Sequence, residues 1–246
     1  MSQRMFRADG LVLRTRPLGE ADRLVTLLTR EEGKFEAVAK GARKMKSKLA
    51  AGVDIFSYGH YTFHRGKTWP VITSQDSIEQ FTWFRDNPAL YPYGIYMGEL
   101  VDRLVSGEEP CSNTFNLLLE GWKLLGSEVD SYILCRSFEL KLAHLAGYSP
   151  HFHSCAACGS SEASKFSPRQ GGMLCNYCSR ADVIAIDKGI IAIVERLISA
   201  PLSQAHLVRL SVEQKKTLSR VTSAFLTYHL DLGDIKSRSL LKEYNT

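Results

Sequence analysis

"FRADGLVLRTRPLGEADRLVTLLTREEGKFEAVAKGA", residues 6–42, holds three short runs of branched apolar residues, at 6–16, 22–30 and 33–42, the last two parted by the turn-like REEGK. Short apolar runs set off by turn residues read as strands. Further along, "VDIFSYGHYTFHRG" at 53–66 and "PVITSQDSIEQF" at 70–81 add two more, and five strands in about eighty residues predict a small barrel. In the fourth strand Phe56, Tyr58 and His60 alternate with Ser57, Gly59, Tyr61 and Phe63. One row is expected to fill the barrel and the other to face a ligand.

The charge is concentrated in the same region. Residues 1–80 carry 14 Lys and Arg against 9 Asp and Glu, and the whole chain 31 against 26, so the rest balances at 17 against 17 and all the excess sits in the first third. Such a one-sided basic module points to a polyanion, nucleic acid first and a membrane surface second. A basic, aromatic-bearing five-stranded barrel has the look of an OB-fold, which binds single-stranded nucleic acid by stacking bases above a positive groove. Between strands three and four, "KGARKMKSKLAAG" places Lys40, Arg43, Lys44, Lys46 and Lys48 within nine residues with no acid among them. Their mutual repulsion is relieved by phosphate, which makes this the candidate DNA loop; the bland alternative is a solvated loop.

After residue 80 the hydrophobic period becomes helical, at 91–110, 112–126 and 129–148, the last an amphipathic run ended by Gly147 and Pro150. Two more helical runs follow at 187–200 and 211–233, with Asp187 and Ser211 as N-caps and Gly233 past the last turn.

Between these helices "CAACGSSEASKFSPRQGGMLCNYC", residues 155–178, opens and closes with Cys-x-x-Cys. Cytosolic thiols are kept reduced, which argues against disulfides, and a redox site of the thioredoxin kind needs one such pair opening a helix, not two in turns. Two knuckles at this spacing match a tetrahedral metal site, with Cys155, Cys158, Cys175 and Cys178 as ligands of one structural Zn²⁺. Four thiolates leave no open position for substrate. Within SSEASKFSPRQGG, residues 160–172, Phe166 is the single sizeable apolar residue, so the metal rather than burial is expected to fold the segment. His151 and His153 read as surface or packing residues, and Cys111 and Cys135 as core residues.

A hydrophobic content of 44% and a charged content of 23% are those of an ordinary globular protein, which excludes collagen, coiled-coil and disordered classes. The first twenty residues lack a signal-peptide pattern, and nowhere do eighteen apolar residues run together, so the chain is expected to stay in the cytoplasm and out of the membrane. No nucleotide-binding Gly loop, nucleophile elbow or HExxH motif is present, and the chain is expected not to be an enzyme.

A basic barrel with KGARKMKSK after its third strand, helices interrupted by CAACG and CNYC, and a late IKSRSLLKE together resemble the RecO family of bacterial DNA repair and recombination mediators, over essentially the full chain. The resemblance implies an α+β multidomain protein: an OB-fold over 1–80, helical parts over 81–150 and 182–246, and a zinc knuckle inserted at 151–181. It also implies binding of single- and double-stranded DNA, strand annealing, partnership with RecR and with the C-terminal tail of the single-stranded-DNA-binding protein SSB, and through them loading of RecA. The family's zinc cysteines fall here on Cys155, Cys158, Cys175 and Cys178, and its basic loop on Lys40, Arg43, Lys44, Lys46 and Lys48. No motif places the SSB-tail pocket; Arg103, Lys123, Arg136 and Lys141 are candidate rim cations on the helices. A zinc-ribbon adapter or transcription-type DNA-binding protein without annealing activity is the alternative.

Overall fold

The computed structural model describes residues 5–180, 182–232 and 234–242. The chain forms two compact units, one of Met1–Gly126 with Lys236–Thr246 and one of Ser127–Ile235.

In the first unit, strands β1 (Met5–Leu18), β2 (Asp22–Thr29), β3 (Lys34–Ala39), β4 (Ser57–His64) and β5 (Val71–Gln80) close a barrel in the order β1-β2-β3-β5-β4. This is the expected OB-fold. Strand β1 serves two partners, Met5–Leu11 beside β4 and Gly10–Leu18 beside β2, and a bulge between Val12 and Arg14 turns it from one to the other. At the overlap a Cβ on Gly10 would lie 3.0 Å from Leu27 and 3.1 Å from Tyr61, so glycine lets the strand bend tightly over the core. Val12, Val25, Leu27, Phe35, Ala37, Tyr61 and Phe63 fill the interior.

The second row of β4 is largely covered by protein, with His60 its one exposed member. The ring of Tyr58 meets Phe115 edge-on at 6.0 Å, and Phe56 lies 5.1 Å from both Trp83 and Trp122. Phe56 stands outside the strand with φ 65°, which breaks the expected alternation. The covering residues come from α1 (Trp83–Asp86), α2 (Tyr91–Leu104) and α3 (Ser112–Leu125). Leu24 and Leu28 alternate with the inward Val25 and Leu27 yet are at most 1% exposed. The barrel is therefore apolar on part of its outside as well, and the apolar stripe of two helices buries that surface. This is why α2 and α3 belong to the barrel's unit rather than to a bundle with the later helices. Helix α7 (Arg238–Lys242) returns to the same unit, where the carboxylate of Glu99 accepts hydrogen bonds from the Ser237 amide at 2.9 Å and hydroxyl at 2.6 Å.

The second unit holds α4 (Ser131–Leu145), α5 (Lys188–Ser199), α6 (Val212–His229) and a small sheet in the order β7-β6-β8, with β6 at Ala163–Ser167, β7 at Gly172–Cys175 and β8 at Ile184–Ala185. The expected caps are in place. Asp187 accepts from the Ile190 amide at 2.8 Å, and Ser211 and Gln214 form a reciprocal capping box. Gly233 lies outside the described residues. Helix α4 is not amphipathic: 11 of its 15 residues are buried, because α5 and α6 pack around it with Ile133, Leu140, Val194, Leu197 and Leu218 in one core. Among the described residues no helix is long and apolar enough to cross a membrane.

Candidate metal centre and candidate nucleic-acid interface

The basic loop leaves β3 at Lys40 and is an ordered structure. Gly41, at φ 65°, donates its amide to Asp22 Oδ1 at 2.7 Å, and the amide of Arg43 donates to the Ala21 carbonyl at 2.9 Å. Lys44 and Ser47 continue the turn with amide bonds of 3.0 Å to the carbonyls of Gly41 and Lys44. Ala42 is buried in the barrel core and Leu49 packs against it, so an apolar residue near each end pins the loop down. The residues between point their charge outward. Lys40, Arg43, Lys44, Lys46 and Lys48 are all exposed, and among the described residues no carboxylate lies in ion-pair range of any of them. By contrast Arg14 and Arg16 have Glu36, Lys34 has Asp102, and Arg23 has Asp54. The loop is thus the longest run of barrel cations without a carboxylate partner among the described residues; Arg7, Arg65 and Lys67 are single cases elsewhere on the barrel.

Arg43 has a second role that its position in the sequence does not show. Its guanidinium donates to the Gly19 carbonyl at 2.8 Å, tying the loop to the β1–β2 turn.

In the second unit the four cysteines converge. The sulfurs of Cys155, Cys158, Cys175 and Cys178 all lie within 4.8 Å of one another, and those of Cys158 and Cys175 are 3.8 Å apart. A tetrahedron of bonds about 2.3 Å long has sulfur–sulfur edges of about 3.8 Å, whereas a disulfide would need about 2.05 Å. The set can hold one metal ion. Each knuckle is shaped locally: Gly159, at φ 78°, donates its amide to the Cys155 carbonyl at 2.8 Å, and Ser179 does the same for Cys175 at 2.9 Å. The amide of Cys175 lowers the Cys155 thiol to about 6, while hydrogen bonding with the sulfurs of Cys158 and Cys175 pushes Cys178 up to about 12. Four sulfurs this close become thiolates together only around a cation.

The segment is not held by the cysteines alone, contrary to expectation. Phe166 is fully buried, 5.8 Å from Phe152 and 6.4 Å from Phe225, and the Pro168 carbonyl lies 2.8 Å from His229 Nε2. The β6–β7 hairpin is thereby seated on α6. His151 and His153 are exposed and outside the sulfur cluster, as expected, and Cys135 is buried. Cys111 is half-buried, its thiol donating to the Thr29 carbonyl at 3.3 Å.

The four candidate rim cations are not one group. Arg103 on α2 and Lys123 on α3 belong to the first unit, Arg136 and Lys141 on α4 to the second. Lys123 is exposed, and Arg103 lies 3.7 Å from Glu99. Lys141 donates to the Ile198 carbonyl at 2.7 Å. Arg136 is a correction: it is 4% exposed, 2.9 Å from Glu139 and 3.1 Å from Thr222 Oγ1, an interior ion pair rather than a rim cation.

Comparison with known proteins covers both units. Residues 1–81 match the family model described as Recombination protein O N terminal, and residues 85–239 match Recombination protein O C terminal. Among curated proteins, the DNA repair protein RecO of Pelotomaculum thermopropionicum is 32% identical over 98% of this chain and 95% of its own length. That of Symbiobacterium thermophilum is 34% identical over 90% and 91%, and that of Heliobacterium modesticaldum 36% over 91% and 83%.

Proposed function

The chain belongs to the recombination protein O family of DNA repair proteins, and on that premise we propose that it is a recombination mediator that binds single- and double-stranded DNA and anneals complementary strands. The observation that carries this reading is the loop at Lys40–Lys48, whose five exposed cations have no carboxylate partner among the described residues. Strand pairing is opposed by repulsion between two phosphate backbones. A fixed cluster of Lys and Arg releases condensed counterions from both and lowers that repulsion, with no bond made or broken. On this reading the protein is not an enzyme, and its work is positioning.

The cysteine set is proposed to hold one Zn²⁺, since four thiolates in a tetrahedron suit that ion and leave no position for water. Its role is to brace the β6–β7 hairpin. The partners proposed with DNA are RecR and the acidic, aromatic-ended tail of SSB, and through them RecA loading in the cytoplasm. In the first unit a groove of about 580 Å³ has Leu13, Ile55 and Ile95 in its wall, with Arg14, Arg103 and Lys236 alongside Glu99 and Asp102, so it offers an apolar wall with one cation in excess over its carboxylates.

The test is annealing of two complementary labelled oligonucleotides, each coated with SSB. Acceleration by the protein is expected; an unchanged annealing rate, together with no shift of single-stranded DNA in a gel, would overturn the reading.

A further inference from the structure

A run of like charges spreads apart unless something holds it. Lys40, Arg43, Lys44, Lys46 and Lys48 repel one another, and among the described residues no carboxylate is in ion-pair range of any of them. Ala42 and Leu49 anchor the loop by apolar contact. Three hydrogen bonds then tie it across to the β1–β2 turn at 19–21 and to the first residue of β2. Arg43 makes two of them, from its amide to the Ala21 carbonyl at 2.9 Å and from its guanidinium to the Gly19 carbonyl at 2.8 Å. The third belongs to Asp22, whose Oδ1 accepts from the Gly41 amide at 2.7 Å.

By charge alone Asp22 is out of place, since an acid in a basic module opposes a polyanion. Other acids of the barrel unit are paired: Glu36 with Arg14 and Arg16, Asp54 with Arg23, and Asp102 with Lys34. Asp22 is half-buried opposite Leu18, and among the described residues no Lys or Arg is in ion-pair range of it. Its partner is a backbone amide instead. Gly41 stands at φ 65°, where the chain turns out of β3 into the loop, and a Cβ there would meet only the Lys44 side chain, at 3.6 Å. Glycine is therefore needed for the turn itself and not for room. An amide bond to a charged oxygen is about twice as strong as a neutral one. This one fixes the exit of the loop between Lys40 and Arg43 and draws on none of the cationic side chains.

We propose that Asp22 is a positioning residue for the nucleic-acid contact: an acid that, through the Gly41 amide, holds the Lys40–Lys48 loop in the shape that meets phosphates. This rests on the DNA-binding reading above. A loop ordered in the free protein loses little freedom on binding, and affinity gained in this way disappears when the tie is cut.

Asparagine separates the bond from the charge, because Asp22→Asn keeps an oxygen in reach of the amide whereas Asp22→Ala loses both. The experiment measures affinity of the full chain for a labelled oligothymidine at several salt concentrations, and the rate at which trypsin cuts the free protein within residues 40–48. Asp22→Ala should weaken binding by up to about tenfold, the worth of one hydrogen bond to a charged group, and speed the cleavage. Its slope of log K against log salt should flatten by about 0.7 for each cation that no longer reaches a phosphate. Asp22→Asn should bind more tightly than Asp22→Ala and resist trypsin as the wild type does. Gly41→Ala, which strains the donor's backbone, should behave like Asp22→Ala in both measurements. An Asp22 that acted by charge alone would give equal, tighter binding in both Asp22 variants. That result, or Asp22→Asn no tighter than Asp22→Ala, or cleavage of Asp22→Ala at the wild-type rate, would overturn the positioning role. Absence of wild-type binding at low salt would instead overturn the reading on which it rests, while the trypsin rates would still decide whether Asp22 orders the loop.

Discussion

Cys175 and Phe166 hold the same hairpin by different means, one through its sulfur and one through its ring. Replacing Cys175 by Ser removes one of four converging sulfurs, and the bound zinc is expected to fall from about one per chain to well below half, read by metal analysis of the purified protein. Because Phe166 still seats the hairpin on Phe225, the variant should keep its secondary structure. Phe166→Ala should do the reverse, retaining metal while costing about 3–5 kcal/mol in denaturant unfolding, the usual range for a large ring lost from a core. Equal metal loss in both variants would show that the cysteines cannot converge without the ring. The convergence of the four cysteines into a set that can hold a metal ion was legible in their spacing, whereas the seat of Phe166 was not, since it depends on Phe225, which is brought to it by packing in the second unit.

At the scale of the element, the basic loop is the part that sequence and structure describe alike, and structure adds which of its cations can be removed cleanly. Arg43 ties the loop to the β1–β2 turn, so Arg43→Ala would alter shape as well as charge. Among the described residues Lys40, Lys44, Lys46 and Lys48 have no such bond, and changing all four to Ala should flatten the salt dependence of single-strand binding by about 2 to 3, at about 0.7 per phosphate contact. Annealing should slow with it, at unchanged thermal stability. A slope equal to wild type would mean that the loop is only solvated. Helix α4 teaches the opposite lesson. Its sequence suggests a two-faced helix with Arg136 outward, but α5 and α6 enclose it, and an Arg with a Glu three residues on is a pair that can be buried together.

For the whole molecule, two compact units predict two responses to metal removal. Chelation should lower the unfolding temperature of the unit spanning Ser127–Ile235 and leave that of the barrel unit unchanged, which differential scanning calorimetry would resolve as one shifted and one fixed transition. A joint shift of both would mean that the units unfold as one. What the sequence by itself determined was local: strands of period two, helix caps at Asp187 and Ser211, two cysteine knuckles, and a run of cations without acids. Each is encoded within a few residues, by side-chain alternation, by a hydrogen bond to the next turn, or by ligand spacing. Only the tertiary structure decided that α2 and α3 cover the barrel, that Arg136 lies inside, and that the β4–β5 turn meets the end of β3. Those outcomes depend on contacts between residues such as Tyr58 and Phe115, or Arg136 and Thr222, far apart in the chain. An apolar row says only that it must be buried, and what buries it is settled by which other surface fits.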